Sequence, residues 1–205
     1  MPEQQLLIAT NNRQKFRELA MVFAAHGVTV LPYWTVIERQ QFPTEGTSDF
    51  KDNAEQKALF IQQQVPNAIV IADDSGLLVQ ALPDHFGLTT MRELKAHAKT
   101  DAEMNQYILQ LLAATQTTNR HAKLTTTLTA ALPNETTCVA TGQTTFTVAQ
   151  QPLGHYSVGF DRIMWLPEVG LTLAQLPDVA RLSFLPRNQA VTALLRRLRK
   201  DGVLL

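Results

Sequence analysis

The side chains best suited to chemistry lie in three short stretches. IADDSGL, Ile71 to Leu77, places two adjacent aspartates, Asp73 and Asp74, directly after an apolar run. If strand geometry persists there, successive side chains point to opposite faces, so one acid can meet a ligand while the other meets a structural donor. Carboxylates this close repel unless a cation or donors offset them. Magnesium suits such a pair, because it combines carboxylate and water oxygens with substrate phosphates. The competing reading is a tight turn in which Asp and Ser hydrogen-bond the backbone before Gly76. The second stretch, ATNNRQKFREL from Ala9 to Leu19, ends a short strand in Thr10, Asn11 and Asn12 and opens a helix. Free N–H groups and the helix dipole at such a junction favour a phosphate, and Lys15, one turn inside, reaches an anionic oxygen as a mobile point charge. The plainer alternative is an ordinary cap by Thr10 or Asn11 with Lys15 solvated; the Gly-rich spacing of a P-loop is missing. In the third stretch, Pro43 to Ala58, Glu45 stands in a polar loop before a helix that carries Asn53 and Lys57. Glu45 can give a metal its second carboxylate and Lys57 can neutralise phosphate, unless the loop is simply solvated.

The rest of the composition narrows the class. Lys plus Arg number 18 and Asp plus Glu number 18, so the net charge is zero over 205 residues, which argues against a general nucleic-acid binder. Cys138 is the one cysteine, so no internal disulfide framework exists, and on a strand it reads as a small core hydrophobe. His26, His85, His97, His121 and His155 show no ligand spacing. The start, MPEQQLLIAT, lacks the basic-then-apolar order of a signal peptide, and no run of about 18 apolar residues is long enough for a bilayer. The expectation is a cytoplasmic protein with neither a nucleic acid nor a membrane as partner.

The elements that must hold these residues follow from periodicity. Gln5–Ala9 reads as a buried strand, and Phe16, Leu19, Ala20 and Phe23 mark a helix that Gly27 stops before a strand at Val28–Leu31. A second helix is predicted from about Phe50 to Gln64, broken by Pro66 and Asn67 before the continuous apolar strand Ala68–Ala72. Thr100 and Glu103 form a capping box for a helix through Ala114. Lys123–Ala131 and Thr136–Ala149, separated by Pro133 and Asn134, read as a long antiparallel hairpin on a half-exposed pleat. Asn188–Lys200 is amphipathic, with Val191, Leu194, Leu195 and Leu198 inward. Its RRLRK ending is read as basic charge at a helix C-terminus in preference to a nucleic-acid patch. The strand–helix–strand rhythm makes the fold class α/β.

Together, in this order, ATNNRQK, the Glu45 loop leading to FKDNAEQKA, and ADDSGLLVQAL resemble the inosine/xanthosine triphosphate pyrophosphatase family, the house-cleaning nucleotide hydrolases, over nearly the whole chain. Gly87, Arg92, the Asp101/Asn105 pair, VGFD at Val158–Asp161 and TLAQL at Thr172–Leu176 fall where that family has matching features. The resemblance implies a single domain over residues 1–205 with a long mixed sheet, two lobes and a central cleft, assembled as a homodimer. It implies magnesium-dependent hydrolysis of nucleoside triphosphates, of the non-standard purine kind, to the monophosphate and pyrophosphate. Carried over by position, Thr10, Asn11, Asn12 and Lys15 hold the triphosphate with Lys57. Glu45 and Asp74 organise magnesium, and Asp74 also orients or deprotonates water, with Asp73 and Lys15 in the catalytic set. Ser75 contacts substrate, Phe160 stacks near the base beside Asp161, and Arg181 and Arg187 stand in the specificity loop. That loop departs from the family's pattern: Leu182 replaces an asparagine, Leu185 a serine and Pro186 a histidine, while Arg181 replaces a lysine. A missing buried polar partner weakens discrimination by roughly 1–3 kcal/mol. Two other readings stand beside the hydrolase: a non-catalytic nucleotide-binding or regulatory protein, and a structural module whose acids only form turns.

Overall fold

The computed structural model describes residues 5–46, 49–133 and 136–204. Thr47 and Ser48 of the third stretch, and Asn134 of the expected hairpin turn, lie outside the described residues. Seven strands form one mixed, open sheet in the order β2-β1-β3-β4-β5-β6-β7. They are β1 (Leu6–Ile8), β2 (Leu31–Pro32), β3 (Ile69–Val79), β4 (His121–Ala131), β5 (Thr137–Val148), β6 (Met164–Leu166) and β7 (Leu171–Thr172). The chain divides into two compact units, one of residues 1–75, 126–142 and 186–205, the other of residues 76–125 and 143–185.

In the first unit, β1 pairs in parallel with β2, Leu7 against Leu31, and with β3, Ile8 against Ile71. Parallel neighbours need crossover connections, which α1 (Arg13–Ala25) and α2 (Phe50–Gln62) supply. The pleat sorts the side chains. Leu7, Ala9, Val70 and Ala72 join Ala58 and Ile61 of α2 and the ring of Tyr33 in one buried cluster. Leu19, Val22 and Phe23 of α1 are also buried, and α1 packs on α6 (Pro186–Lys200), whose Val191, Leu194, Leu195 and Leu198 point inward as predicted. Gly142 on β5 makes this possible: a Cβ there would collide with the Pro186 carbonyl and stand 2.8 Å from the Ala190 nitrogen. The basic residues Arg197, Arg199 and Lys200 occupy the last turn of α6, favourable at a helix C-terminus.

The second unit holds α3 (Thr90–His97), α4 (Asp101–Ala114) and α5 (Asp178–Arg181) beside its strand segments. The predicted capping box is present: Glu103 N–H donates to Thr100 Oγ1 at 3.2 Å, and Thr100 N–H donates to Glu103 Oε2 at 3.1 Å. Strand β6 pairs antiparallel with both β5 and β7.

Three expectations change. The strand expected at Val28–Leu31 shrinks to β2, because the Val28 and Gly27 N–H groups are taken by the carbonyls of Phe23 and Ala24 in closing α1. Pro32, lacking an N–H, then ends β2 at the sheet edge. Strand β3 does not stop at Ala72 but runs through both aspartates to Val79. Strand β4 is not half exposed: Thr125 to Ala131 are all buried, and the Thr127 and Thr141 hydroxyls of the hairpin bond each other at 3.0 Å. Cys138 is a half-buried free thiol on β5.

Candidate functional site

The charged side chains of all three stretches meet within the first unit. Because β3 continues through Asp73 and Asp74, the pleat sends the two carboxylates to opposite faces. Both are buried, at 2% and 5% exposure. Asp73 Oδ2 accepts from Arg187 Nη2 at 3.0 Å and from the Ser75 hydroxyl at 3.1 Å, and lies 3.3 Å from Lys15 Nζ. Asp74 Oδ2 accepts from Asn53 Nδ2 at 2.9 Å, and Lys57 Nζ stands 3.5 Å from Asp74 Oδ1. Asp73 therefore faces cations from α1 and α6, and Asp74 faces α2.

These surroundings move the two acids apart electrostatically. Burial alone would raise Asp73, but Lys15, Arg187 and Lys57 outweigh it and hold the carboxyl well below its ordinary range. Burial raises Asp74, and Lys57 and Asn53 only partly offset it. Burial lowers Lys15, with Asp73 opposing and Arg187 and Lys57 reinforcing. Lys57, also desolvated, is nonetheless raised by Asp74, Asp73 and Glu45. Neighbouring carboxyls tuned in opposite directions divide naturally into a permanent anion and a proton acceptor.

Lys57 is the hub of the third stretch. Its ammonium donates to Glu45 Oε1 at 2.9 Å and to the Asp73 carbonyl at 2.8 Å, besides its contact with Asp74. Glu45 and Asp74, 29 positions apart in sequence, thus share one cation. Asn53 ties them further: it accepts the Gly46 N–H at 2.8 Å while bonding Asp74. The Glu45 and Asp74 carboxylates, which both meet the Lys57 ammonium here, are oxygen donors of the kind that could hold magnesium together with phosphates and water. Among the described residues no group of three or more His, Cys, Asp or Glu could hold a metal by itself.

The loop between β1 and α1 differs from the alternative of a cap by Thr10 or Asn11 with Lys15 solvated. Asn12, not Thr10 or Asn11, caps α1: its Oδ1 accepts the N–H of Gln14 at 2.8 Å and of Lys15 at 3.1 Å. Thr10 Oγ1 accepts the Asn12 N–H at 3.2 Å. Two first-turn N–H groups are thereby engaged by a side chain. Lys15 is not solvated but leans on Asp73, still 23% exposed. The Asn11 amide is held by Tyr33 and the Gln40 carbonyl.

Ser75 bonds Thr126 Oγ1 at 2.9 Å as well as Asp73. Arg187, in the first turn of α6, is bound through Nη1 to Glu18 Oε1 at 2.8 Å and through Nη2 to Asp73. Thr10, Asn11, Asn12, Lys15, Glu45, Lys57, Asp73, Asp74, Ser75 and Arg187 accordingly belong to one unit. Phe160, Asp161 and Arg181 belong to the other. There Phe160 and Asp161 share the single 3-10 turn Gly159–Arg162, anchored by Asn105 Nδ2 on the Gly159 carbonyl at 2.8 Å. Arg181, buried, donates to Asp161 Oδ2 at 2.7 Å and to Asp178 Oδ1 at 2.9 Å. Leu185 and Pro186 are buried.

Sequence reasoning gave no role to Glu18, Tyr33, Asn53 or Thr126. Asn53 stood in plain view one helical turn before Lys57, and that spacing was the available signal. Glu18, one turn after Lys15, offered the same signal.

The sequence profile of the Ham1 family matches residues 6–197. The chain belongs to the Ham1 family. It is 36% identical over 192 residues to a dihydroneopterin triphosphate diphosphatase of Limosilactobacillus reuteri, spanning 94% of this chain and 96% of that protein. It is 34% identical over 199 residues to a dITP/XTP pyrophosphatase of Listeria monocytogenes, spanning 97% and 95% respectively. Among solved structures, the Staphylococcus aureus Ham1 protein superposes with a TM-score of 0.80 at 26% identity, covering 97% of this chain and all of that one. The Ham1 assignment accounts for the mixed seven-stranded sheet and for the order of the three stretches.

Proposed function

We propose that this Ham1-family protein is a nucleoside triphosphate pyrophosphatase, hydrolysing a (deoxy)nucleoside triphosphate to the monophosphate and pyrophosphate. The observation that carries the reading is that Glu45 and Asp74 both meet the Lys57 ammonium, while the adjacent Asp73 holds Lys15 of the β1–α1 loop. Magnesium, held by Glu45 and Asp74, would supply charge neutralisation on the phosphates. Lys15 and the Thr10–Asn12 side chains bind the triphosphate, and Lys57 orients both carboxylates and meets phosphate charge. Asp74, raised by burial, takes the proton as a water oxygen attacks the α-phosphorus; the α–β bridging bond breaks and pyrophosphate leaves with that electron pair. Asp73 stays ionised and fixes Lys15 and Arg187. A homodimer and a cytoplasmic setting belong to the same proposal.

For the base, the dITP/XTP pyrophosphatase relatives support a non-standard purine. A second reading, a pterin triphosphate, is favoured by the Limosilactobacillus reuteri relative. Pyrophosphate release from dITP, XTP, ordinary triphosphates and dihydroneopterin triphosphate, with and without magnesium, tests both. Turnover of dITP or XTP above the rest supports the first substrate class, and turnover of the pterin alone supports the second. Silence on all of them leaves a non-catalytic binding protein.

A further inference from the structure

Tyr33 is fully buried, and a buried phenol hydroxyl needs partners. It donates to Asn11 Oδ1 at 2.6 Å and accepts the Gln40 N–H at 2.9 Å, while Asn11 Nδ2 donates to the Gln40 carbonyl at 2.9 Å. A hydroxyl has one proton; the 2.6 Å contact takes it, since the Gln40 carbonyl is 3.4 Å away. That proton can be received only by the oxygen of the Asn11 amide, and the Gln40 carbonyl can be met only by its nitrogen. The amide is therefore fixed against a flip from both sides. Its nitrogen carries two protons, and one of them goes to Gln40. The other remains for an anion on an exposed side chain of the loop between β1 and α1. The ring is held by edge contacts with Trp34 and Phe42 at centroid distances of 5.6 and 5.7 Å, so the hydroxyl does not wander. Gln40 also lies on the segment leading to Glu45.

We propose that Tyr33 is a positioning residue of the triphosphate site: its hydroxyl locks the Asn11 amide with nitrogen rather than oxygen available to the phosphates. This rests on reading the Thr10–Lys15 loop as the triphosphate cradle. An unlocked amide spends part of its time with carbonyl lone pairs against phosphate oxygens, which repel.

The test uses the full chain and inorganic tripolyphosphate with magnesium as probe, read by calorimetry, alongside KM and kcat for the best triphosphate. Tyr33→Phe keeps the ring and its packing. It is expected to weaken tripolyphosphate binding about three- to tenfold, the scale of one ordinary hydrogen bond, with the kinetic change in KM rather than kcat. In an Asn11→Ala background the same substitution is expected to add nothing, because its effect runs through the amide. Wild-type affinity in Tyr33→Phe, or an undiminished loss in the Asn11→Ala background, overturns the proposal; the latter assigns the effect to ring or loop packing. Failure of the wild type to bind tripolyphosphate removes the cradle and the inference together. Binding in the expected pattern without triphosphate turnover upholds the inference and removes only the hydrolase reading.

Discussion

Asp73 and Asp74 share a peptide bond yet titrate in opposite directions, because the pleat gives each a different set of neighbours. Asp74→Asn leaves the shape and removes the proton acceptor, so turnover is expected to fall by about 10²–10⁴-fold while nucleotide still binds; single-turnover kinetics with equilibrium binding checks this. Asp73→Asn acts on stability instead. It removes the carboxylate that Lys15 and Arg187 share, but Arg187 keeps Glu18 and Lys15 stays partly exposed, so a loss of about 1–3 kcal/mol is expected, measurable by urea denaturation. The sign of the pH effect follows from the depressed Asp73 value. A carboxyl lower in the folded state contributes its stability above the ordinary value of 3.8 and loses it as pH falls below that toward the folded one. Thermal midpoints taken from pH 6 to 3 are expected to drop more steeply for the wild type than for Asp73→Asn.

At the scale of elements, the site depends on how closely α6 approaches β5. Gly142 is the contact that permits it, and α6 delivers Arg187 to Asp73 from its first turn. Gly142→Ala must push the Pro186–Ala190 turn away, so a loss of about 1–3 kcal/mol is expected from overpacking, accompanied by weaker substrate binding. A urea melt and a KM measurement read the two effects together. Strand β3 tolerates two buried acids in its middle only because α1, α2 and α6 each bring a partner: Lys15, Lys57 with Asn53, and Arg187.

For the molecule as a whole, ligand binding to the native state alone raises stability by mass action. Triphosphate plus magnesium is expected to raise the thermal midpoint, each ligand alone less, and Glu45→Gln to abolish the magnesium increment; a dye-based thermal shift series decides it. Equal midpoints in all conditions favour a structural module.

The amphipathic helices, the capping box, the hairpin and the covered strand were legible in the sequence, because each rests on contacts or periodicities a few residues long. So was the family, because the types and order of the residues in the three stretches carry the resemblance. The continuation of β3 past Ala72 was not legible: whether Asp73 and Asp74 end a strand or run through its middle depends on cations 17 to 114 residues away. The same holds for Asn12 displacing Thr10 and Asn11 as the cap, and for Arg187 meeting Glu18 and Asp73. Sequence determines which charges exist and which faces are apolar. Only tertiary structure decides which charges are desolvated together, and that choice lowers one of the two adjacent acids and raises the other.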